Sequence, residues 1–402
     1  MSDKRTGVIA VIGSSIAIFL VGGFIFGLPG VMAPHWQEKF QVGRGDVGNT
    51  MMFLLAAVGI CMFFVGHWQE RVGTRIMILI GVVSSCLDIV FLAFAESLSM
   101  VYLWAFIIGA ASAFIYLPGL TTVQKWFPER RGLVSGIFNL TFGISGAVMS
   151  PVFTYLPAKM GYSDMIIMMA AVTFLIGIPA ALASRSPESL GSVPSSGPSI
   201  GPPIPLGPSL SARQSLFTRS FRMLWLTWVL QGSAGVAMLV LAVQYGLSMG
   251  LPLASAGIIL TAFNVTNGMS RLIMGYLSDK MNRVTAMSAT FFASGIAYLI
   301  LPHVNGLYAS AFLAAVVGFA FGTLFSVSGP LIVDCFGIRH FGGIFGLMFT
   351  AYGFFAGPLG PSLSGYILDA TNGNFFIVFT YLGVFCTISG VLVTRVTPVR
   401  QL

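Results

Sequence analysis

An arginine lies inside one of the most apolar parts of the chain. In NVTNGMSRLIMGYLSDKMNR, residues 264–283, Arg271 follows Asn264, Asn267 and Gly268 at helical spacing and precedes Gly275. Those residues fall on one stripe of a helix, while Val265, Met269, Leu272 and Ile273 fall on the other side. An arginine at membrane depth costs at least about 2.5–3.5 kcal/mol on insertion scales, so it is kept where it is paired or lines a wet cavity. Its planar fork matches the two oxygens of a carboxylate and stays charged at any relevant pH. No acid stands one turn before it, because the i−4 position is Asn267. The stripe therefore reads as a fixed cation awaiting an anion. Snorkelling to the nearby loop and pairing with a fixed acid on another helix are the competing readings.

Few other groups at that depth do chemistry. Asp88 is the one carboxylate well inside an apolar run, and with Gly81, Ser84 and Ser85 it forms a small polar stripe. It is a candidate either for proton coupling or for helix packing. Tyr116, in FIYLPG, lies at a depth similar to that of Arg271, and its phenol can donate a hydrogen bond to a carboxylate or hydroxyl. Asn139 reads as an interhelical hydrogen bond rather than a ligand. His35, His67, His303 and His340 fall in predicted loops, and the four cysteines show no CxxC spacing, so neither metal, cofactor nor disulfide is implied. With no nucleophile–base or paired-acid constellation at depth, the sequence points away from an enzyme.

The elements that carry these groups are membrane helices. Apolar residues make up 56% of the chain and charged residues 8%, and mean hydropathy is +0.90, far from the composition of a soluble domain. Apolar runs of about 20 residues, enough to cross a hydrocarbon core of about 30 Å, recur along the chain. Twelve are counted; the first covers 7–33, the third 75–95, the fourth 99–124, the fifth 132–155, the eighth 256–276 and the eleventh 341–366. The net charge of +8 reflects topology rather than nucleic-acid binding. Sixteen of the 20 Lys and Arg fall on one side of the alternating loops, against Lys39, Arg44 and Lys159 on the other. The positive-inside rule makes both termini and the long central loop cytoplasmic. That loop, SRSPESLGSVPSSGPSIGPPIPLGPSLSARQ, is too rich in Pro, Ser and Gly to bury a core. The expected organisation is a six-helix bundle over 1–183, a cytoplasmic linker over 184–220 and a second six-helix bundle over 221–402.

The two halves repeat one another. GHWQERVGTR (66–75) recurs as GYLSDKMNR (275–283), and KWFPERRGLVSGIFNLTFG (125–143) as DCFGIRHFGGIFGLMFTAYG (334–353). The offset is 209 residues at Gly66/Gly275 and 207 at Gly136/Gly343, a duplication in parallel register. At an offset of 209, Arg271 faces Met62 and Asn267 faces Val58, so the duplicated frame does not itself require the charge.

The G-x-x-x-(D/E)-(R/K)-x-G-x-R element, its echo in the second half and the twelve runs resemble the major facilitator superfamily over essentially the whole chain. The resemblance implies that Gly66 and Gly275 allow close helix approach. It implies too that Glu70, Arg71, Asp279 and Lys280 make gating charge contacts that a rocking motion breaks and remakes. KWFPERRGLVSGIF is similar to the signature of the monocarboxylate transporter family and of the related bacterial oxalate/formate exchangers. In that family an arginine of the eighth helix anchors the substrate carboxylate, and Arg271 matches it by helix, motif distance and spacing to the polar residue before it. The family's Asp at that i−4 position is Asn267 here, and its Lys after the proline of the first helix is Gly30, so the proton-relay residues do not carry over. Leu28, Tyr352 and Phe355 stand on helices that line the pathway in this superfamily and are expected as walls for a short-chain acid. The expectation is a multi-pass protein of the bacterial plasma membrane, contacting lipid but no nucleic acid or protein partner. It moves a small monocarboxylate such as lactate or pyruvate with a proton. A carboxylate exchanger of the oxalate/formate type and a non-transporting sensor of the same shape are the alternatives.

Overall fold

The computed structural model describes residues 2–127, 131–187, 210–278, 280–337 and 340–397. Among them there are helices and short tight or wide turns of helix, and no strand. In the first half these are α1 (Ser2–Phe26), α2 (Leu28–Phe40), α3 (Arg44–Val72), α4 (Thr74–Ala93), α5 (Leu98–Trp126), α6 (Arg131–Tyr155), the single turn α7 (Pro157–Met160) and α8 (Tyr162–Ala183). The second half holds the short α9 (Ala212–Leu216), α10 (Arg219–Ser248), α11 (Leu253–Leu277), α12 (Arg283–Ile300), α13 (Leu307–Phe336), α14 (Phe341–Ala351), α15 (Leu363–Ala370) and α16 (Phe375–Thr394). Ser97, Thr218 and Asn282 start α5, α10 and α12 by accepting backbone N–H bonds with their side chains. Much of the linker falls outside the described residues; α10 begins at Arg219, two residues ahead of the expected boundary.

Eleven helical segments among the described residues are long and apolar enough to cross a membrane, against twelve apolar runs in the sequence. The run without a counterpart among them is α11, whose 25 residues carry Asn264, Asn267 and Arg271. Its polar stripe lowers its hydropathy, and that stripe is buried against α6, α10 and α13 rather than offered to lipid. Two other runs are less regular than expected. The first breaks at Gly27 into α1 and α2, with Pro29 unable to donate a backbone bond, and continues to Phe40, which brings His35 into a helix. His67 is likewise helical, within α3. The eleventh run passes through two π-helical stretches, Tyr352–Ala356 and Pro358–Ser362, where Pro358 and Pro361 remove N–H donors from the regular ladder.

The two halves meet along α6–α11 and along α3 with α14 and α15, with α2 against α10. Small residues make these crossings close: a methyl group at Gly268 would stand 2.7 Å from the Ile144 amide nitrogen, and one at Gly353 would stand 2.7 Å from the Gly59 Cα. The two ends of the bundle differ. At the distal end, away from the start of α1, Asp369 of α15 accepts hydrogen bonds from the Arg44 and Gly45 amides at the start of α3, at 3.1 and 3.0 Å. Beside it, the Tyr366 hydroxyl accepts from Asn49 Nδ2 at 2.8 Å and donates to Asp46 Oδ1 at 3.2 Å. At the basal end, Gly275, Gly342 and Gly346 have no atom of a described residue within 4 Å of where a side chain would project. The bonds between the halves that involve charged groups are thus gathered at the distal end among the described residues.

At Gly275 no described atom stands within 4 Å of where a side chain would project. Lys280 lays its ammonium group 4.4 Å from the centre of the Tyr276 ring. The side chains of Gly66, Glu70 and Arg71, and the whole of Asp279, lie outside the described residues, and so does the expected charge contact among them.

Candidate functional site

Between the halves lies a cavity of about 40 Å³ lined by Ile25 and Phe26 of α1, Leu54, Leu55, Val58 and Met62 of α3, and Ser112 and Tyr116 of α5. Phe142 of α6, Arg271, Phe325 of α13, Phe349 of α14 and Tyr352 complete it. Of the pairs that join the halves, α6–α11 and α3–α14 contribute from both sides, so a change in their tilt changes the cavity. Its size is far below the roughly 300–1,000 Å³ of pockets for drug-sized ligands.

Arg271 is 2% exposed, which excludes snorkelling. Its Nε lies 3.4 Å from Asn267 Oδ1, one turn back on the same helix. Three rings surround the guanidinium, with centroids 4.7 Å (Phe325), 5.5 Å (Phe142) and 5.8 Å (Phe26) from Cζ. Nη2 is buried with no hydrogen-bond partner among the described residues, and Arg271 forms no salt bridge with any described acid. A desolvated cation of this kind is costly unless something else completes it. The rings return part of that cost and the asparagine fixes the fork, which leaves one N–H edge unsatisfied.

The stripe read from the sequence has divided its work. Asn267 braces Arg271 from behind and is not part of the cavity wall, and its Nδ2 has no hydrogen-bond partner among the described residues. Asn264 ties α11 to the end of α1 by donating to the Phe26 carbonyl at 3.1 Å. Gly268 lets α6 pass closely enough for Gly143 to lie against the arginine. Tyr116 lines the cavity as expected, but its hydroxyl already donates to Asn139 Oδ1 at 2.7 Å. Asn139 is thus the interhelical bond that the sequence suggested.

Of the expected apolar walls, only Tyr352 is present. Leu28 is fully buried in the packing around the α1–α2 break, and the residues just before that break, Ile25 and Phe26, reach the cavity instead. Phe355 is 41% exposed and stacks edge-on against Trp225 at 5.3 Å. In a π-helical stretch three residues cover less than a full turn, so Phe355 leaves the face that Tyr352 occupies. Asp88 lies outside the cavity, on α4 between α5 and α8, 3% exposed and with neither carboxylate oxygen hydrogen-bonded to a described residue. The ring cage of Phe26, Phe142 and Phe325 escaped the sequence reading. Among 35 phenylalanines nothing marks these three, although the repeat already pairs Phe325 with Tyr116.

Comparison with known proteins bears on what such a cavity carries. The profile of the Major Facilitator Superfamily matches residues 14–259 and 232–401. The chain is 23% identical to an oxalate:formate antiporter of Oxalobacter formigenes over 83% of its length and 78% of that protein's. It is 26% identical to monocarboxylate transporter 11 of Homo sapiens, over 91% and 79% respectively. With an uncharacterized MFS-type transporter of Escherichia coli it shares 25% identity, over 87% and 86%.

Proposed function

Since the chain belongs to the major facilitator superfamily, and its relatives are transporters of the monocarboxylate and oxalate:formate kinds, we propose that it carries small monocarboxylates such as lactate or pyruvate together with a proton, by alternating access. In this reading twelve helices cross a bacterial plasma membrane as two six-helix bundles, over 1–183 and 221–402, with termini and linker on the cytoplasmic side. The bonds of Asp369 and Tyr366 to the start of α3 then close the distal side.

The observation that carries the reading is Arg271: a buried, caged cation with a free N–H edge in a cavity shared by both halves. A carboxylate accepts from that edge and neutralises the charge. Arg271 and Tyr352 bind the anion, Asn267 orients the arginine, and the phenylalanine rings exclude water. A carboxylate moving with H⁺ is neutral overall, so closing the loaded cavity buries no net charge beyond the pair itself. Asp88 is the candidate to carry the coupled proton, because a carboxyl buried without a partner is tolerated only as the neutral acid.

Exchange of two anions, as in the oxalate:formate antiporter, is the second reading, favoured by that relative. A dicarboxylate is disfavoured by the single cation and small volume of the cavity. Uptake of radiolabelled lactate, pyruvate, formate and acetate into proteoliposomes tests both. The expected result is accumulation driven by an inward proton gradient and lost in Arg271→Ala. Uptake that ignores the gradient and survives in that variant rejects symport and site together, and uptake requiring a counter-anion inside selects exchange. Binding detected by substrate-stabilised melting, with no uptake under any condition, favours the sensor.

A further inference from the structure

The cavity wall carries two hydroxyls whose hydrogens are already committed, Ser112 Oγ donating to the Gly109 carbonyl at 2.7 Å and Tyr116 donating to Asn139. Tyr116 Oη lies 2.7 Å from Asn139 Oδ1, and Asn139 Nδ2 donates to the Ser135 carbonyl at 2.9 Å. A backbone carbonyl only accepts, so the asparagine must turn its NH₂ toward Ser135. Its oxygen then faces the phenol, and Tyr116 has to be the donor. Nearby, Gln124 Nε2 bonds Ser135 Oγ at 2.9 Å, a further tie between α5 and α6. Phe142 and Phe138, with centroids 5.4 and 5.7 Å away, hold the tyrosine ring. What Tyr116 offers the cavity is a lone pair. Tyr352, on the opposite wall, makes no hydrogen bond to any described residue, so its hydroxyl is free to donate or accept.

We infer that Asn139, by fixing Tyr116 as an acceptor, makes the site select acids that carry a hydroxyl beside the carboxylate over those that carry a carbonyl there. The inference rests on the carboxylate reading of Arg271. Arg271, Tyr116 and Tyr352 line one cavity of about 40 Å³, so a small acid held by Arg271 shares that space with both phenols. A 2-hydroxy acid donates to Tyr116 and leaves Tyr352 to bind the carboxylate or the same hydroxyl. A 2-oxo acid has only acceptors and sets oxygen against oxygen at Tyr116. Asn139 is thus a positioning residue: it acts through the tyrosine and does not line the cavity itself.

The test is competition among lactate, pyruvate and acetate for uptake into proteoliposomes. The parent is expected to prefer lactate to pyruvate by about tenfold, the worth of one hydrogen bond made rather than opposed in a buried site. In Asn139→Leu the phenol regains its hydrogen and can turn it to a keto oxygen. The ratio is expected to fall toward one, through better pyruvate competition measured relative to acetate. Tyr116→Phe removes acceptor and donor alike with little change of shape and is expected to lose the preference as well, which keeps the test decisive should Asn139→Leu fold poorly. A parent that does not separate the two acids, or variants in which the ratio stays fixed, overturns the inference and leaves the carboxylate reading standing. A parent that takes up none of the three acids overturns both.

Discussion

Met62 and Arg271 occupy the same position in the two repeats, and both line the cavity. So do Tyr116 and Phe325, at an offset of 209, and Phe142 and Phe349, at 207. Where the repeats agree they supply shape: both members of the 142/349 pair are phenylalanines of the cavity wall, and Gly59 and Gly268 mark the close crossing of each half's helix with the other half. Where they differ they supply chemistry, a cation and its asparagine brace on one side against methionine and valine on the other. A duplicated bundle builds a symmetric cavity between its halves, and function enters by breaking the symmetry at a few of its wall positions.

Arg271→Met makes the second repeat like the first and is expected to weaken carboxylate uptake by about 30-fold or more, the roughly 2–5 kcal/mol lost when one partner of a buried charged pair is removed. Adding Met62→Arg moves the charge across the cavity. The double variant should still fall below about a tenth of parental uptake, because Val58 cannot brace a guanidinium as Asn267 does and a site held loosely loses its advantage. Full recovery in the double variant would mean that any cation in the cavity suffices and that the contrast between the repeats carries little information.

The asymmetry was legible in the sequence for the arginine and not for its surroundings. One charge in an apolar run stands out, and alignment of the repeats isolates it further. The helices were legible too, because each buries or exposes a long apolar face whatever its neighbours do. The cage was hidden, since which phenylalanines converge depends on helix tilt and rotation. Leu28 and Phe355 stand off the cavity wall for a related reason: a break at Gly27 and a π-helical stretch at Tyr352 rotate side chains off the face that regular spacing assigns. Pro358 and Pro361 were the available signal for the second of these. The free hydroxyl expected of Tyr116 was spent on Asn139, a pairing between helices that no local pattern encodes.

The shared positions invite the opposite prediction, of equal treatment. Gly59→Val and Gly268→Val each drive a branched side chain into a helix of the other half, at an expected cost of about 1–3 kcal/mol. Both should lower the thermal unfolding midpoint in detergent. Gly268→Val should do so more, because the methyl contact there is 2.7 Å, to backbone, against 3.1 Å at Gly59. A loss confined to one of them would show that the two crossings are not equivalent in stability.

A further asymmetry lies at the distal end. Asp369 holds the start of α3, whereas at an offset of 207 its counterpart is Tyr162 and leaves the start of α11 without an acid. Asp369→Ala removes two bonds to a helix N-terminus, worth about 1 kcal/mol each. A single cysteine replacing Met51, fully buried on α3, is then expected to react about 30-fold faster with an impermeant thiol reagent applied from the distal side. A second cysteine, at Gly346 near the basal end, should react more slowly as the bundle rocks the other way. A rise at both positions would mark general loosening, and the acid would be holding the fold rather than one state of it.

Asp88 belongs to one half alone and lies outside the cavity wall, so its substitution should change the driving force more than the binding. Asp88→Asn keeps the shape and removes the ionisable proton. Its effect on affinity is expected to stay within about twofold, since substitutions without lost packing or pairing rarely cost more than about 0.5 kcal/mol. Uptake, however, should cease to follow an imposed proton gradient and continue down the substrate gradient. Gradient-driven accumulation at the parental level in Asp88→Asn would remove α4 from the coupling path, and the proton would then have to travel within the cavity beside the substrate.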